Sequence, residues 1–280
     1  MISKRFCAFI TFLFLLSPWV QATVKPRPQH VYTVGIVPQF DARQGYEIWR
    51  PILDKLQVAT GVRFTLRGSP SIPAFEKEVL AGAFDFAYMN PYQLLQAHNR
   101  QGYTPLVRDV GRRLQGILVV RRDSKINSVE ALAGHIVAFP SPNSLGACLL
   151  IRAELKDKHN IQFVPKYVLS HSSVYLNVIL GQATAGGGVQ KTLQQQAKTI
   201  TGKLRVLYRT QSVVPHAFVA HPRVPLQLQR RVREAFLTLG QTQTGRQLLS
   251  KIPIKKIGRA SMQDYQALSK LRLDRFYLKD

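Results

Sequence analysis

The sequence predicts an α/β protein of two similar units, each a mostly parallel sheet flanked by helices. Three observations carry this. Short β-branched runs alternate with stretches of helical apolar spacing along most of the chain. The alternation is repeated over residues 119–211, which suggests two lobes and a cleft rather than an array. Hydrophobic residues are 45% and charged residues 19% of 280, which suits a chain with a large buried core and not a disordered one.

Residues 31–37 are β-rich and end at Pro38, which reads as a first buried strand. Trp49, Ile52, Leu53 and Leu56 recur at helical spacing, with Pro51 acceptable in a first turn, and Gly61 stops that helix. Residues 62–66 alternate as a second strand. Phe75, Val79 and Leu80 mark a helix closed by Gly82, and residues 84–89 form a third strand. Pro91 then opens a short helix carrying Leu94 and Leu95.

In the second unit, residues 117–120 are a strand of unbroken apolar side chains. Ser128 is placed to cap a helix ending at Gly134, and residues 136–139 form the next strand. A helix is expected from Leu145 to about Lys156, a strand at 167–169 and a helix at 174–180. Gly186, Gly187 and Gly188 lack the Lys-Ser/Thr ending of a phosphate loop and read as a turn. A helix at 193–197, a strand at 204–207 and one long helix at 227–249 complete the pattern.

Charge and compartment must be read together. With 39 Lys+Arg against 15 Asp+Glu the net charge is +24, which invites a nucleic acid or an anionic surface as partner. Residues 1–22, however, have the form of a secretory signal. Lys4 and Arg5 precede an apolar run from Phe6 to Leu16, Pro18 breaks it, and Val20-Gln21-Ala22 offers a cleavage pattern. The apolar run is shorter than the ~20 residues of a membrane span. Cleavage after Ala22 removes Cys7 and leaves Cys148 as the one cysteine. A soluble, exported, monomeric protein of the periplasm is therefore expected, with no nucleic-acid role. The basic clusters, such as Arg230, Arg231 and Arg233, lack interleaved aromatics and read as solvated faces, with an anionic membrane surface as a sharper possibility.

Several short segments occur in an ordered set: Val34-Gly-Ile-Val-Pro38, residues 82–92 around Phe84-Asp-Phe-Ala-Tyr88, Ser128-Val-Glu-Ala-Leu-Ala-Gly134, residues 137–144, and His171 followed by Gly181-Gln-Ala-Thr184. In order and spacing, across about 31–270, the chain resembles the phosphate/phosphite/phosphonate-type periplasmic substrate-binding proteins of ABC transporters. The resemblance implies a type II two-lobed fold with a ligand cleft, lobe 1 from 23–118 plus 212–280 and lobe 2 from 119–211. It implies capture of a small phosphorus oxyanion for an ABC permease; the alternative is a periplasmic sensor partnered with a membrane histidine kinase.

The turn Ser141-Pro-Asn-Ser-Leu-Gly146 suits an oxyanion physically, because it lies between a strand and a helix N-terminus. Asn143 or Ser144 would cap the helix or donate to the anion, Leu145 would offer its backbone, and Gly146 would permit close approach. In the family this turn usually carries consecutive hydroxyl residues; Ser144 matches, while Leu145 and Gly146 depart. Tyr88 and Asn90 end a strand at its carboxyl edge, where ligands of α/β sheets bind. By resemblance Tyr88 contacts ligand and His171 donates to the anion; Tyr46, read as lying in the first strand–helix loop, is placed to close over the ligand. Ser172 and Thr184 stand where aminophosphonate-binding relatives carry acids, which favours a small anion without an ammonium.

Enzyme motifs and metal-ligand spacings are missing from the sequence, and neither metal nor cofactor is expected. His216 and His221, five apart, read as surface histidines rather than a zinc pair.

Overall fold

The computed structural model describes residues 30–252 and 254–278. The expected signal segment, residues 1–22, lies outside the described residues.

The first unit opens with β1 (Val31–Ile36) and α1 (Ala42–Thr60). The Asp41 carboxylate caps α1 by accepting from the Gln44 N–H, and Gly61 ends it in a left-handed conformation at φ 67°. Trp49, Ile52, Leu53 and Leu56 face the core as their spacing predicts. The helix starts earlier than expected, so Pro51 sits mid-helix and removes one helical hydrogen bond instead of occupying a first turn. Next come β2 (Arg63–Arg67), α2 (Ile72–Leu80), β3 (Phe86–Met89) and α3 (Pro91–Gln101). β4 (Thr104–Asp109) was not foreseen, because Pro105 reads against a strand. Its partner register shifts between the residues facing Val107 and Pro105, which is where a strand proline is tolerated.

The second unit holds β5 (Leu114–Arg121), a 3₁₀ turn (Glu130–Leu132) and β6 (Ile136–Phe139). The helix expected after Ser128 is only that short turn. A π-helical turn (Leu145–Leu149) leads into α4 (Leu150–His159), followed by β7 (Val164–Tyr167), α5 (His171–Ile179) and β8 (Ala185–Val189). α6 (Gln190–Gln194), α7 (Lys198–Thr201) and β9 (Leu204–Val213) close the unit. The chain then returns as β10 (Ala217–Ala220), α8 (Leu226–Gln241), α9 (Gln243–Lys251) and β11 (Ile257–Arg259), and ends in 3₁₀ helices at Met262–Leu271 and Leu273–Phe276. The single helix expected at 227–249 is broken at Thr242, whose extended backbone ends α8 and whose hydroxyl caps α9 through Gly245 N–H.

Two sheets result. The six-stranded sheet runs β11-β4-β10-β3-β1-β2 and the five-stranded sheet β7-β6-β8-β5-β9. β1 pairs in parallel with β2 and β3, but β10 is antiparallel to β3 and β4. β6 is parallel to β7 and β8, while β5 is antiparallel to β8 and β9. Both sheets are thus mixed rather than mostly parallel, since the strands that carry the chain between units run against their neighbours. The boundaries expected at 118/119 and 211/212 fall inside β5 and β9, both strands of the second sheet.

The triple glycine is the largest departure. Gly186, Gly187 and Gly188 form the middle of β8, fully buried, and not a turn. A Cβ on Gly187 would stand 2.0 Å from the Ala147 carbonyl oxygen, and one on Gly116 of β5 2.1 Å from the Gly146 carbonyl oxygen. The glycines let the π-helical turn lie backbone to backbone on the sheet.

Candidate functional site

A cleft of about 370 Å³ opens between the two sheets. One wall carries Gln39, Phe40, Tyr88, Pro215 and His216, from beside β1, β3 and β10. The other carries Leu114 and Gln115 of β5, Val189 of β8 and Lys191 and Thr192 of α6. Arg112 and Arg113, just before β5, stand at its edge, and no carboxylate lines it. Tyr88 is placed by β3, which lies between β1 and β10; the buried ring stacks on His216 with centroids 5.4 Å apart and planes 24° apart. On its other side Tyr88 meets Trp49 at 4.9 Å. Gln39 Nε2 lies 3.2 Å from His216 Nε2.

The turn before α4 contributes no residue to the lining of this cleft and packs, through Gly146, against the lining residues Val189 and Leu114. Ser141, Asn143 and Ser144 are all buried. Neither the Ser141 nor the Ser144 hydroxyl has a hydrogen-bond partner among the described residues. Ser144 precedes the π-helical turn without a side-chain cap bond, so the first N–H groups of this helix join the two hydroxyls as donors. Gly146 packs under the cleft wall: a Cβ there would meet Val189 at 2.7 Å and Leu114 at 3.3 Å. Its smallness serves helix–sheet contact, and Leu145 is buried in the hydrophobic core that includes Trp49, Tyr88 and Phe218.

The remaining expected residues separate. Asn143 Nδ2 donates to Glu76 Oε2 at 3.1 Å and to the Leu278 carbonyl at 2.8 Å, and Oδ1 accepts from Leu278 N–H at 3.0 Å. Both its N–H groups are committed, so its side chain has none left for an anion. Asn90 caps α3, accepting from the Tyr92 and Gln93 N–H groups at 2.9 Å each. Tyr46 lies within α1, 55% exposed, and not in the loop before it. Thr184 immediately precedes β8, at the end of the strand away from Val189, and its hydroxyl is 3.2 Å from His135 Nδ1.

His171 opens α5 and is buried behind Thr192, whose Oγ1 is 3.3 Å from its Nδ1. Thr192 donates its one proton to the Val189 carbonyl at 2.9 Å, accepts from the Val189 N–H at 3.4 Å and lies 2.8 Å from the Tyr175 hydroxyl. Burial holds His171 down to about 4 and, with the neighbouring His171 charge, His216 down to about 3. Both are neutral at pH 7. The expectation that His216 is a surface residue is thus overturned; it is 7% exposed and part of the cleft wall. Its register was the missed signal: Ala217 faces Met89, which brings the preceding histidine against Tyr88. Among the described residues no three metal-ligating side chains converge.

Residues 34–265 match the family model of the ABC transporter, phosphonate, periplasmic substrate-binding protein. The fold is that of a binding protein component of an ABC phosphonate transporter from Pseudomonas aeruginosa: TM-score 0.80, 16% identity, 89% of this chain and 88% of that chain. PhnD1 from Prochlorococcus marinus in complex with methylphosphonate gives 0.79 at 16% identity, covering 88% and 99%. A Xanthomonas citri protein bound to ATP gives 0.70 at 17%, covering 88% and 98%. Curated protein sequences give no match. The architecture is the type II, two-lobed binding-protein fold. No helix among the described residues is long and apolar enough to cross a membrane. The match covers most of the sequence, and the chain belongs to the phosphonate periplasmic substrate-binding protein family of ABC transporters.

Proposed function

We propose that this protein captures a phosphorus oxyanion by closing its two lobes around the cleft and delivers it to an ABC permease. The observation that supports this best is the pair of buried, unpartnered hydroxyls, Ser141 and Ser144, at the N-terminus of the helix running into α4. Buried polar atoms ordinarily find partners, and a helix N-terminus favours an anion. The carboxylate-free wall and the cations at its edge agree in sign. We place the passages between lobes at the segments flanking β5 and β9, around 110–113 and 214–216, in place of the boundaries expected from sequence. We also propose export to the periplasm with cleavage after Ala22, which intact mass of the secreted protein would check.

Titration calorimetry with methylphosphonate, inorganic phosphate and sulfate tests the assignment. The phosphorus anions are expected to bind and sulfate to bind more weakly. Absence of binding by every phosphorus anion would overturn it.

A further inference from the structure

The walls of the cleft describe more than an anion. Its volume, about 370 Å³, lies in the range of roughly 300–1,000 Å³ typical of sites for larger organic ligands. Phe40, Leu114, Val189 and Pro215 line it with apolar surface, and the stacked Tyr88 and His216 rings add a flat aromatic face.

Arg112, Arg113 and Lys191 ring the same space. None of the three takes part in an ion pair among the described residues. Arg113 bonds only the neutral Ser212 hydroxyl and carbonyl, at 3.3 and 3.1 Å. An ammonium-bearing substituent would meet three cations and no carboxylate, and would be repelled. An aromatic substituent would meet apolar walls, a ring face and guanidinium groups able to stack on it.

We infer that the ligand is an organic phosphonate or phosphate monoester whose substituent is apolar and aromatic, not an inorganic anion or an aminoalkyl phosphonate. This rests on the oxyanion reading above and adds the substituent. The cations supply attraction for the charged end and the apolar walls supply selectivity for the rest.

Calorimetry on the purified full chain with four probes tests it: inorganic phosphate, methylphosphonate, 2-aminoethylphosphonate and phenylphosphonate. Phenylphosphonate is expected to bind at least about tenfold more tightly than methylphosphonate, the increment that burying apolar area gives. Aminoethylphosphonate is expected to bind most weakly. The exposed Arg112→Gln variant should lose about tenfold for phenylphosphonate and show a flatter salt dependence. Methylphosphonate binding as tightly as phenylphosphonate would overturn the substituent class and leave the oxyanion reading standing. Failure of all four probes would overturn both.

Discussion

Asn143 holds both backbone groups of Leu278, donating to its carbonyl at 2.8 Å and accepting from its N–H at 3.0 Å. The same side chain donates to Glu76, which also accepts from the Tyr277 hydroxyl at 2.5 Å. A short polar network thereby ties α2, the turn before α4 and the segment after the last 3₁₀ helix. Asn143→Ala would strip three bonds from this buried junction. A loss of about 1–3 kcal/mol is expected, read as a lower urea midpoint at unchanged m-value. An unaltered midpoint would show that the junction is dispensable.

Ser144→Ala is expected to behave differently. The hydroxyl it removes has no partner among the described residues, so stability should hold within about 0.5 kcal/mol or improve. Affinity for methylphosphonate should fall by about tenfold, or 1.4 kcal/mol, in calorimetry. Loss of stability with unchanged affinity would assign Ser144 to the fold alone.

The two buried histidines give the protein an acid-sensitive core. Their folded values, about 4 for His171 and about 3 for His216, lie below the ordinary histidine value, so the unfolded chain binds protons first. The stabilisation is complete above about pH 6.5 and is lost as pH falls toward the folded values, at up to about 1.4 kcal/mol per pH unit for each histidine. Thermal melts between pH 7 and 4 should show this fall. A His171→Gln, His216→Gln variant should flatten it relative to the parent. Parallel curves for both proteins would contradict the assignment.

Glycine positions offer a sharp contrast. Gly187→Ala drives a methyl group against the Ala147 carbonyl and should cost at least about 1–3 kcal/mol. Gly45, half-buried on α1, has nothing within 4 Å of such a methyl. Gly45→Ala should stabilise by about 0.5–1 kcal/mol through helix propensity. Paired denaturation curves would reveal equal effects if backbone contact at β8 were unimportant.

Sequence periodicity was a good guide wherever one helix face meets one sheet. The buried stripe of α1 and the strands β1 and β3 are read directly from the spacing of their apolar residues. It failed where packing replaces side chains with backbone. β8 has three glycines in five residues and gives no strand signal, yet it lies between β5 and β6. Site residues divide similarly. The place of Tyr88 near the end of a patterned strand was legible, as was that of Ser144 before a helix. The positions of His216 and Thr192 at the cleft were not, since they depend on strand register and on how α6 follows β8. Asn143 looked like a donor because its bonding partners lie 67 and 135 residues away.

The contact between the π-helical turn and β8 has a kinetic corollary. With carbonyls of Gly146 and Ala147 lying directly over the glycines of the sheet, the donor end of the helix has no room to shift. On the proposed reading, the groups that receive the anion are held in place before it arrives, so little ordering entropy is spent on binding. Association and release would then be timed by the swing of one lobe against the other, while the receiving surface behaves as a fixed template throughout.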